Sequence, residues 1–223
     1  MTAMIDSHGT VANLLGAQAT VIEERLGHAL DRGAFAGGKF ARQGNHLNLR
    51  LADGETVRMP VETFDHAMDE LMHERYLELV QPLPGAVDAV ARIRQAHGSA
   101  WLISKACAPI GRTTGLTKQK MEDFALLHSF DFDEVYHDED PKGRGKLSFF
   151  ACDGVTLVAD NELPILRQAV ARSAMPRHLV HKTPERGSYG HKVIHAERVD
   201  GIERVKGWAV YTPPPPIELG LAA

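Results

Sequence analysis

The chain has 223 residues, of which 43% are hydrophobic and 24% charged, and its formal net charge is -4. These values are ordinary for a soluble globular protein with one sizeable core, and they exclude a general basic surface for nucleic acid or anionic lipid. The longest apolar runs, such as VTLVA at 155–159, are too short to cross a bilayer.

The cysteines and the N-terminus predict a compartment. Cys107 and Cys152 are the only cysteines and do not form a Cys-x-x-Cys pair, which argues against a disulfide or zinc framework. No basic segment precedes the first apolar run, so no secretory signal is visible. We therefore expect a cytoplasmic protein that binds neither a membrane nor a nucleic acid polymer, and the sequence leaves its oligomeric state open.

The first predicted element is a short strand that leads into MIDSHGT, residues 4–10. Asp, Ser and Gly favour turns, so its simplest interpretation is a terminal strand and a turn. A helix is predicted over 11–28, because VANLLGAQATVIEERLGHAL places apolar residues at helical spacing. The glycine-rich stretch RGAFAGGKFARQGN, residues 32–45, predicts a loop.

A hairpin and a helix are predicted next. Apolar residues alternate on both sides of Asp53-Gly54, which is a hairpin signal, and VETFDHAMDELMHERYLELV at 61–80 returns to helical periodicity. Four basic residues in this region could meet a phosphate or carboxylate, although solvated surface is the ordinary place for such side chains: Lys39, Arg42, Arg50 and Arg58.

After Pro82 and Pro84 the chain alternates short apolar strands with helices, which predicts βαβ units and a parallel sheet. The predicted strands are 100–104, 134–136, 155–160 and 177–181, and the predicted helices are 85–97, 117–130, 145–154 and 162–174. Asp200-Gly201 predicts a C-terminal β-hairpin. The proline-rich tail, residues 213–223, is expected to be a disordered end rather than an arm across the surface.

The sequence thus predicts an α/β fold. Its core is a Rossmann-like parallel sheet formed by residues 1–12 and 82–212. An inserted cap of helices and a hairpin, residues 13–81, interrupts this core after the first strand.

Polar residues stand at the ends of the predicted strands. Asp6 ends the first strand, Ser104 the second and Asp160 a later one, while Lys146 opens a helix between the last two. Ligands gather at the carboxyl ends of parallel strands, so we expect these side chains to lie close together. Each also has an ordinary structural interpretation: a strand-end serine, a solvated lysine, and an aspartate that caps the next helix.

This order of residues resembles the haloacid dehalogenase superfamily of phosphatases and related hydrolases. MIDSHGT is similar to the first motif, Asp-x-Asp-Gly-Thr, WLIS to the second, and LVADNE to the fourth. Lys146 is placed like the third-motif lysine, with Lys142 as a competitor. The resemblance covers about residues 4–181 without the insert in detail, and the run from TKQKMEDF to LVADNE is weakly similar to the 5′-deoxynucleotidases.

The resemblance implies a Mg²⁺-dependent hydrolase of a small phosphomonoester, with a nucleotide as one option. It makes Asp6 the nucleophile and a metal ligand, Asp160 the second ligand, and the backbone carbonyl of His8 the third. A cation is needed because two anions, a carboxylate and a phosphate, must approach each other. The residues expected to bind the phosphate are Ser104, Lys146 and Thr10, and Lys146 would also orient the nucleophile.

Two positions depart from the superfamily pattern. His8 stands where a second aspartate acts as general acid and then base; a histidine with its reference pKa of about 6.5 is able to do both, or its presence marks a lost step. Pro164 stands where a further acidic residue is expected, and only Glu162 is near. The alternatives are therefore a catalytically silent protein that binds a phosphorylated ligand or partner, and a metal-independent, dehalogenase-like hydrolase.

Overall fold

The computed structural model describes residues 1–36, 41–105, 115–140, 144–172, 177–182, 198–199 and 201–217. The strands and helices of these residues are, in chain order, β1 Thr2–Asp6, α1 Leu14–Leu26, α2 Arg32–Ala36, β2 Ala41–Gln43, β3 His46–Arg50, β4 Thr56–Pro60, α3 Val61–Glu70, α4 Tyr76–Leu79, α5 Ala86–His97, β5 Ala100–Lys105, α6 Lys118–Leu127, β6 Glu134–Asp138, α7 Arg144–Phe150, β7 Val155–Asp160, α8 Leu163–Arg172, β8 His178–Lys182, β9 Arg198–Val199 and β10 Ile202–Val205. A π-helical turn, Leu71–Arg75, joins α3 to α4, and a 3₁₀ turn, Trp208–Val210, follows β10.

The main sheet has the strand order β6-β5-β1-β7-β8-β10-β9. Six of these strands are parallel, and β9 pairs antiparallel with β10 at one edge. The predicted α/β fold with a parallel sheet is therefore confirmed, and so is the C-terminal hairpin. β1 lies between β5 and β7, with Asp6 opposite Ile103. The carboxyl ends of these three parallel strands therefore lie side by side at the same end of the sheet.

Both faces of the sheet are covered, which explains why its central strands are almost entirely apolar. Side chains alternate along each strand, so Ile5 and Leu102 face one cluster of buried residues while Met4 and Ile103 face the other. The first cluster includes residues of α5, α6 and the segment between β1 and α5, and the second includes residues of α7 and α8. Burial of each such side chain contributes about 1.5–3 kcal/mol relative to exposure.

The segment between β1 and α5 contains α1, α2, an antiparallel sheet in the order β2-β3-β4, α3, the π-helical turn and α4. The predicted hairpin is confirmed, since Leu47 pairs with Met59 and Leu49 with Val57. The predicted loop at 32–45 is wrong in part, because it contains α2 and β2. Pairing of β2 with β3 overrides the weak strand propensity of this glycine-rich stretch, whose residues 37–40 lie outside the described ones.

The basic residues of this segment lie at the surface as expected. Arg42, Arg50 and Arg58 are exposed, and Lys39 lies outside the described residues. Across the described chain, no helix combines the length and the apolar character that crossing a membrane requires.

The C-terminal segment lies against the body of the protein. His178 Nε2 on β8 is 2.9 Å from the carbonyl oxygen of Pro215, and Trp208 Nε1 donates to the carbonyl of Thr10 at 2.5 Å. The expectation of a disordered end is therefore wrong for residues 213–217. They form an arm across the surface, which was the alternative. Residues 218–223 lie outside the described ones.

Candidate active site

The turn after β1 explains why Gly and Thr follow Asp6. The carbonyl of Ser7 accepts hydrogen bonds from the N–H groups of Val11 at 2.8 Å and Ala12 at 2.9 Å, which closes a tight turn. Gly9 has φ +77°, a left-handed conformation that a residue with a Cβ adopts at a cost. The turn brings Thr10 back over the strand end, where its Oγ1 donates to Asp6 Oδ2 at 2.9 Å.

Lys146 joins the two predicted aspartates. Its Nζ lies 2.5 Å from Asp6 Oδ1 and 2.7 Å from Asp160 Oδ2. All three side chains are buried, with exposures of 1%, 5% and 0% for Lys146, Asp6 and Asp160. We call these three residues the carboxylate–lysine triad. Lys146 therefore supplies an ammonium to this site, and its competitor Lys142 lies outside the described residues.

The charges of the triad are unequal. Burial alone would lower the pKa of Lys146, but the carboxylates of Asp160 and Asp6 outweigh it and raise that pKa above its usual range. Burial raises the pKa of Asp160 to about 7, against the opposing effect of Lys146. In the form with Asp160 ionised, which additional positive charge would favour, one ammonium faces two carboxylates and the site carries a negative excess.

Asp138 positions Lys146, and sequence reasoning missed it. β6 extends to Asp138 and not only to residue 136 as predicted, so this carboxylate reaches the same sheet edge. Its Oδ2 accepts the backbone N–H of Lys146 at 2.9 Å, and its Oδ1 accepts that of Asp140 at 3.0 Å. A Cβ at Gly145 would lie 2.6 Å from the Tyr136 hydroxyl and 3.0 Å from the Asp138 carboxylate, so a larger residue would require these groups to move. Asp138 therefore holds the start of α7 in place.

His8 lies on the other side of the turn, beside the inserted segment. It is 8% exposed, and its Nε2 is 2.8 Å from the hydroxyl of Tyr76. Burial lowers the pKa of His8 to about 3, and the charges of Lys146 and His137 act in the same direction. The ring is therefore neutral at pH 7. A neutral imidazole can accept a proton but has no imidazolium proton to give as an acid, and a pKa this low makes it a weak base. The acid and base roles of His8 stay predictions.

Ser104 reaches the predicted end of the sheet, and among the described residues it makes no hydrogen bond to the triad. It is buried and follows Ile103, the residue opposite Asp6, but its Oγ donates to the carbonyl of Lys105 at 3.4 Å. The Thr10 hydroxyl, in contrast, already donates to Asp6. The phosphate-binding roles of Ser104 and Thr10 thus stay predictions.

The residues after β7 form a turn, and the further acidic residue expected at position 164 is a proline. The N–H of Glu162 donates to Asp160 Oδ1 at 2.7 Å, while its carboxylate pairs with Lys105 at 2.7 Å. Pro164 occupies the first turn of α8, where its lack of an N–H is tolerated. Glu162 is therefore committed to Lys105 and does not replace the expected acid.

The donor set suits one kind of metal site. Within the described ranges, no three His, Cys, Asp or Glu side chains form a group that would hold a metal by themselves. Mg²⁺ is commonly bound by one or two carboxylates, with water and substrate phosphate as its other ligands. Asp6 and Asp160, with the negative excess of the triad, fit Mg²⁺ bound in this way.

No family model and no curated protein matches the sequence. Solved structures do resemble the chain, among them CbbY from Rhodobacter sphaeroides in complex with xylulose-(1,5)bisphosphate, with a TM-score of 0.49 and 13% identity over 94% of this chain and 95% of that one. A HAD-superfamily hydrolase from Geobacter sulfurreducens gives 0.49 and 14% over 93% and 95%. An L-2-haloacid dehalogenase gives 0.49 and 13% over 93% and 95%.

The name of the Geobacter sulfurreducens structure carries the superfamily that the motifs suggested, and another of these structures is a haloacid dehalogenase. Similarity at this level does not bear on the reaction, because one fold hosts many chemistries. The function must therefore be inferred from the geometry of the site itself.

Proposed function

We propose that this protein is a Mg²⁺-dependent hydrolase of small phosphomonoesters that forms an aspartyl-phosphate on Asp6. The observation that carries the proposal is the carboxylate–lysine triad, a buried nucleophile candidate held by a cation at the carboxyl edge of a parallel sheet. A bound Mg²⁺, held by Asp6, Asp160 and the His8 carbonyl, would supply positive charge for the phosphoryl oxygens.

In the first step, a carboxylate oxygen of Asp6 forms a bond to phosphorus, the bond to the alcohol oxygen breaks with its electron pair, and this oxygen takes up a proton from water to leave as the alcohol. Lys146 pairs with one carboxylate oxygen of Asp6, and Thr10 fixes the other, so the nucleophile is oriented before substrate arrives. Water then displaces Asp6 from phosphorus and releases inorganic phosphate. The neutral ring of His8 is the candidate base for the proton of this water.

The segment 13–81 is the cap of this site in our proposal. It reaches the loop after β1 through Tyr76, which lies against His8. A segment in this place would limit the size of the substrate and exclude bulk water from the aspartyl-phosphate. Small phosphomonoesters, with nucleotides as one option, are the substrates that this arrangement favours.

The test is a panel of phosphomonoesters, including nucleoside monophosphates, assayed for phosphate release with Mg²⁺ and after treatment with EDTA. We expect activity with Mg²⁺ that EDTA abolishes, and a loss of several orders of magnitude in Asp6→Asn. Asp88→Asn, at an exposed aspartate in the first turn of α5, is the matched control and should retain activity. Metal-bound protein that binds phosphate but releases none from any ester would show the silent binding protein instead.

One observation favours a second candidate, a metal-independent hydrolase of the dehalogenase type. Lys146 contacts both carboxylates, so a lysine already supplies a cation between Asp6 and Asp160. In this reaction Asp6 would displace halide from carbon, and water would hydrolyse the resulting ester. Halide release from a 2-haloacid that is unaffected by EDTA would select this candidate over the phosphatase.

A further inference from the structure

Tyr76 is a residue of the inserted segment that is fully buried against the site. It opens α4, is 1% exposed, and its hydroxyl lies 2.8 Å from His8 Nε2 and 3.5 Å from Met121 Sδ. The two rings meet edge to face, with 5.7 Å between their centroids and an interplanar angle of 83°. Phe124 of α6 packs on the tyrosine ring at 6.1 Å. The hydroxyl is thus directed at a ring nitrogen of His8 by packing on two sides.

The π-helical turn sets where Tyr76 lies. A π turn adds one residue to a helical turn, so the residue that follows it is rotated relative to a regular helix, and local carbonyls lose their usual partners. Lys120 of α6 supplies those partners, because its Nζ donates to the carbonyls of Met72 at 2.7 Å and His73 at 2.8 Å. It also donates to the carbonyl of Gly115 at 2.7 Å. One lysine therefore fixes the turn that precedes Tyr76.

Helix α6 connects this turn to the loop after β1. Met121, the neighbour of Lys120, contacts the Tyr76 hydroxyl, and its Sδ also accepts a hydrogen bond from Ser7 Oγ at 3.8 Å. Ser7 directly precedes His8 in the chain. The π turn, α6 and the loop after β1 are therefore held by adjacent side chains of one helix.

We propose that Tyr76 is a positioning residue for His8, and that Lys120 and the π turn hold Tyr76 in place. The inference rests on the proposed function for its effect on turnover, but the contact itself does not. Nε2 is engaged by the tyrosine hydroxyl, either as donor or as acceptor. The inserted segment thereby fixes the orientation of the imidazole.

The kinetic test compares Tyr76→Phe with the wild type. Loss of one buried hydrogen bond should lower kcat about tenfold with KM little changed. In a His8→Ala background, Tyr76→Phe should have no further effect, because the hydroxyl acts through His8. Tyr211→Phe is the control, since this tyrosine is also buried but its hydroxyl has no hydrogen-bond partner in the described part of the chain. An equal loss in both backgrounds would overturn the proposal.

A second test does not need turnover. In protein labelled with ¹⁵N-histidine at pH 7.5, the His8 ring signals, assigned by their absence from His8→Ala, should show a hydrogen-bonded Nε2 in a single tautomer. Relative to wild type, Tyr76→Phe should shift these signals, and Lys120→Met should shift them in the same direction. Lys120→Arg, which keeps a donor at this position, should shift them less than Lys120→Met. Unchanged His8 signals in folded Tyr76→Phe would overturn the proposal. If no phosphomonoester is hydrolysed, the proposed function fails while this test still decides the role of Tyr76.

Discussion

At the scale of single residues, Lys146 matters both for the stability of the fold and for the proposed reaction. Its ammonium is the cation that the described contacts place between two buried carboxylates. Removing one partner of a buried ion pair leaves uncompensated charge and typically costs about 3–5 kcal/mol. We therefore expect Lys146→Met to lower the free energy of unfolding by about that amount in urea denaturation at pH 7.5.

Lys118→Met is the control for this change, because the Lys118 side chain is 56% exposed and pairs with Glu122 on the surface at 3.4 Å. It should alter stability by less than about 0.5 kcal/mol. Equal stability of Lys146→Met and wild type would show that the triad is not assembled as described.

His97 predicts how stability depends on pH. It is fully buried, with Nδ1 2.9 Å from Thr156 Oγ1, and burial, together with the charge of His178, lowers its pKa to about 4. An unfolded histidine titrates near 6.5, so between the two values the unfolded chain binds more protons. The stability that neutral His97 contributes is complete above about pH 6.5 and is lost as the pH falls towards 4.

The check is urea denaturation at pH 7.5 and pH 5.0. From pH 7.5 to pH 5.0 the free energy of unfolding should change less favourably in wild type than in His97→Gln. The lowered pKa of His8 acts with the same sign as that of His97, and the raised pKa of Asp160 with the opposite sign, but both effects are common to the two proteins. His28→Gln, at an exposed position, should keep the wild-type difference. The same difference in His97→Gln as in wild type would rule out this assignment.

The sequence could predict that Asp6, Lys146 and Asp160 lie together, because their order at strand ends and a helix start matches the motifs that they resemble. It could not predict the state of His8. That state depends on burial by Tyr76, which belongs to a distant helix whose pattern indicates only an ordinary apolar face. A tyrosine that contacts the site and a tyrosine that only fills the core look alike in a sequence.

At the scale of elements, the connection from β6 to α7 determines where Lys146 lies. Asp138→Ala removes the acceptor for the N–H of Asp140, before α7, and for that of Lys146, in its first turn, so stability should fall by about 0.5–2 kcal/mol. Turnover should also fall, because Lys146 loses its fixed backbone. Thermal unfolding and kcat measured together check both effects, and Asp138→Asn should recover part of each, since an amide oxygen still accepts. A wild-type kcat in a clearly destabilised Asp138→Ala would show that Asp138 stabilises the fold without affecting turnover.

Elements with a clear period were predicted, and those without one were not. The alternation of Leu47 and Leu49 identified the hairpin, whereas β6 was predicted too short because His137 and Asp138 have low strand propensity. The π turn has no sequence signal, since it depends on the carbonyl contacts of Lys120. Tertiary contacts decided these cases.

At the scale of the whole molecule, the end of the chain supports the loop after β1. Residues 206–210 form a strap whose Trp208 is 1% exposed and donates to the carbonyl of Thr10 at 2.5 Å. Arg92 donates to the carbonyl of Trp208 at 3.0 Å. Gly85 has φ +74°, and a Cβ there would lie 2.6 Å from the backbone nitrogen of Ala209, so the strap packs directly on the start of α5.

Trp208→Phe should therefore affect both stability and turnover. It removes the indole donor and part of a buried ring, and should lower the free energy of unfolding by about 1–3 kcal/mol. It should also lower kcat, because Thr10 holds Asp6. Trp101→Phe, on β5 away from the strap, should lower stability without the same loss of kcat. Equal kcat in Trp208→Phe and wild type would show that the strap has only a structural role.

The α/β alternation predicted the sheet, but nothing local predicted the strap. A proline-rich tail is usually extended, and its sequence does not say what it lies against. The contact of Pro215 with His178 depends on the position of β8 in the assembled sheet. Long-range contacts of this kind become visible only in the folded molecule.

The central claim, that Asp6 becomes phosphorylated, is tested most directly by trapping the intermediate. Protein mixed with Mg²⁺ and its fastest phosphomonoester is quenched, then reduced with borohydride, which converts an acyl phosphate of aspartate into homoserine. Trypsin then releases residues 1–25, a peptide in which Asp6 is the only aspartate. The account predicts homoserine at position 6 in wild type and none in Asp6→Asn. Turnover without any homoserine in this peptide would contradict it.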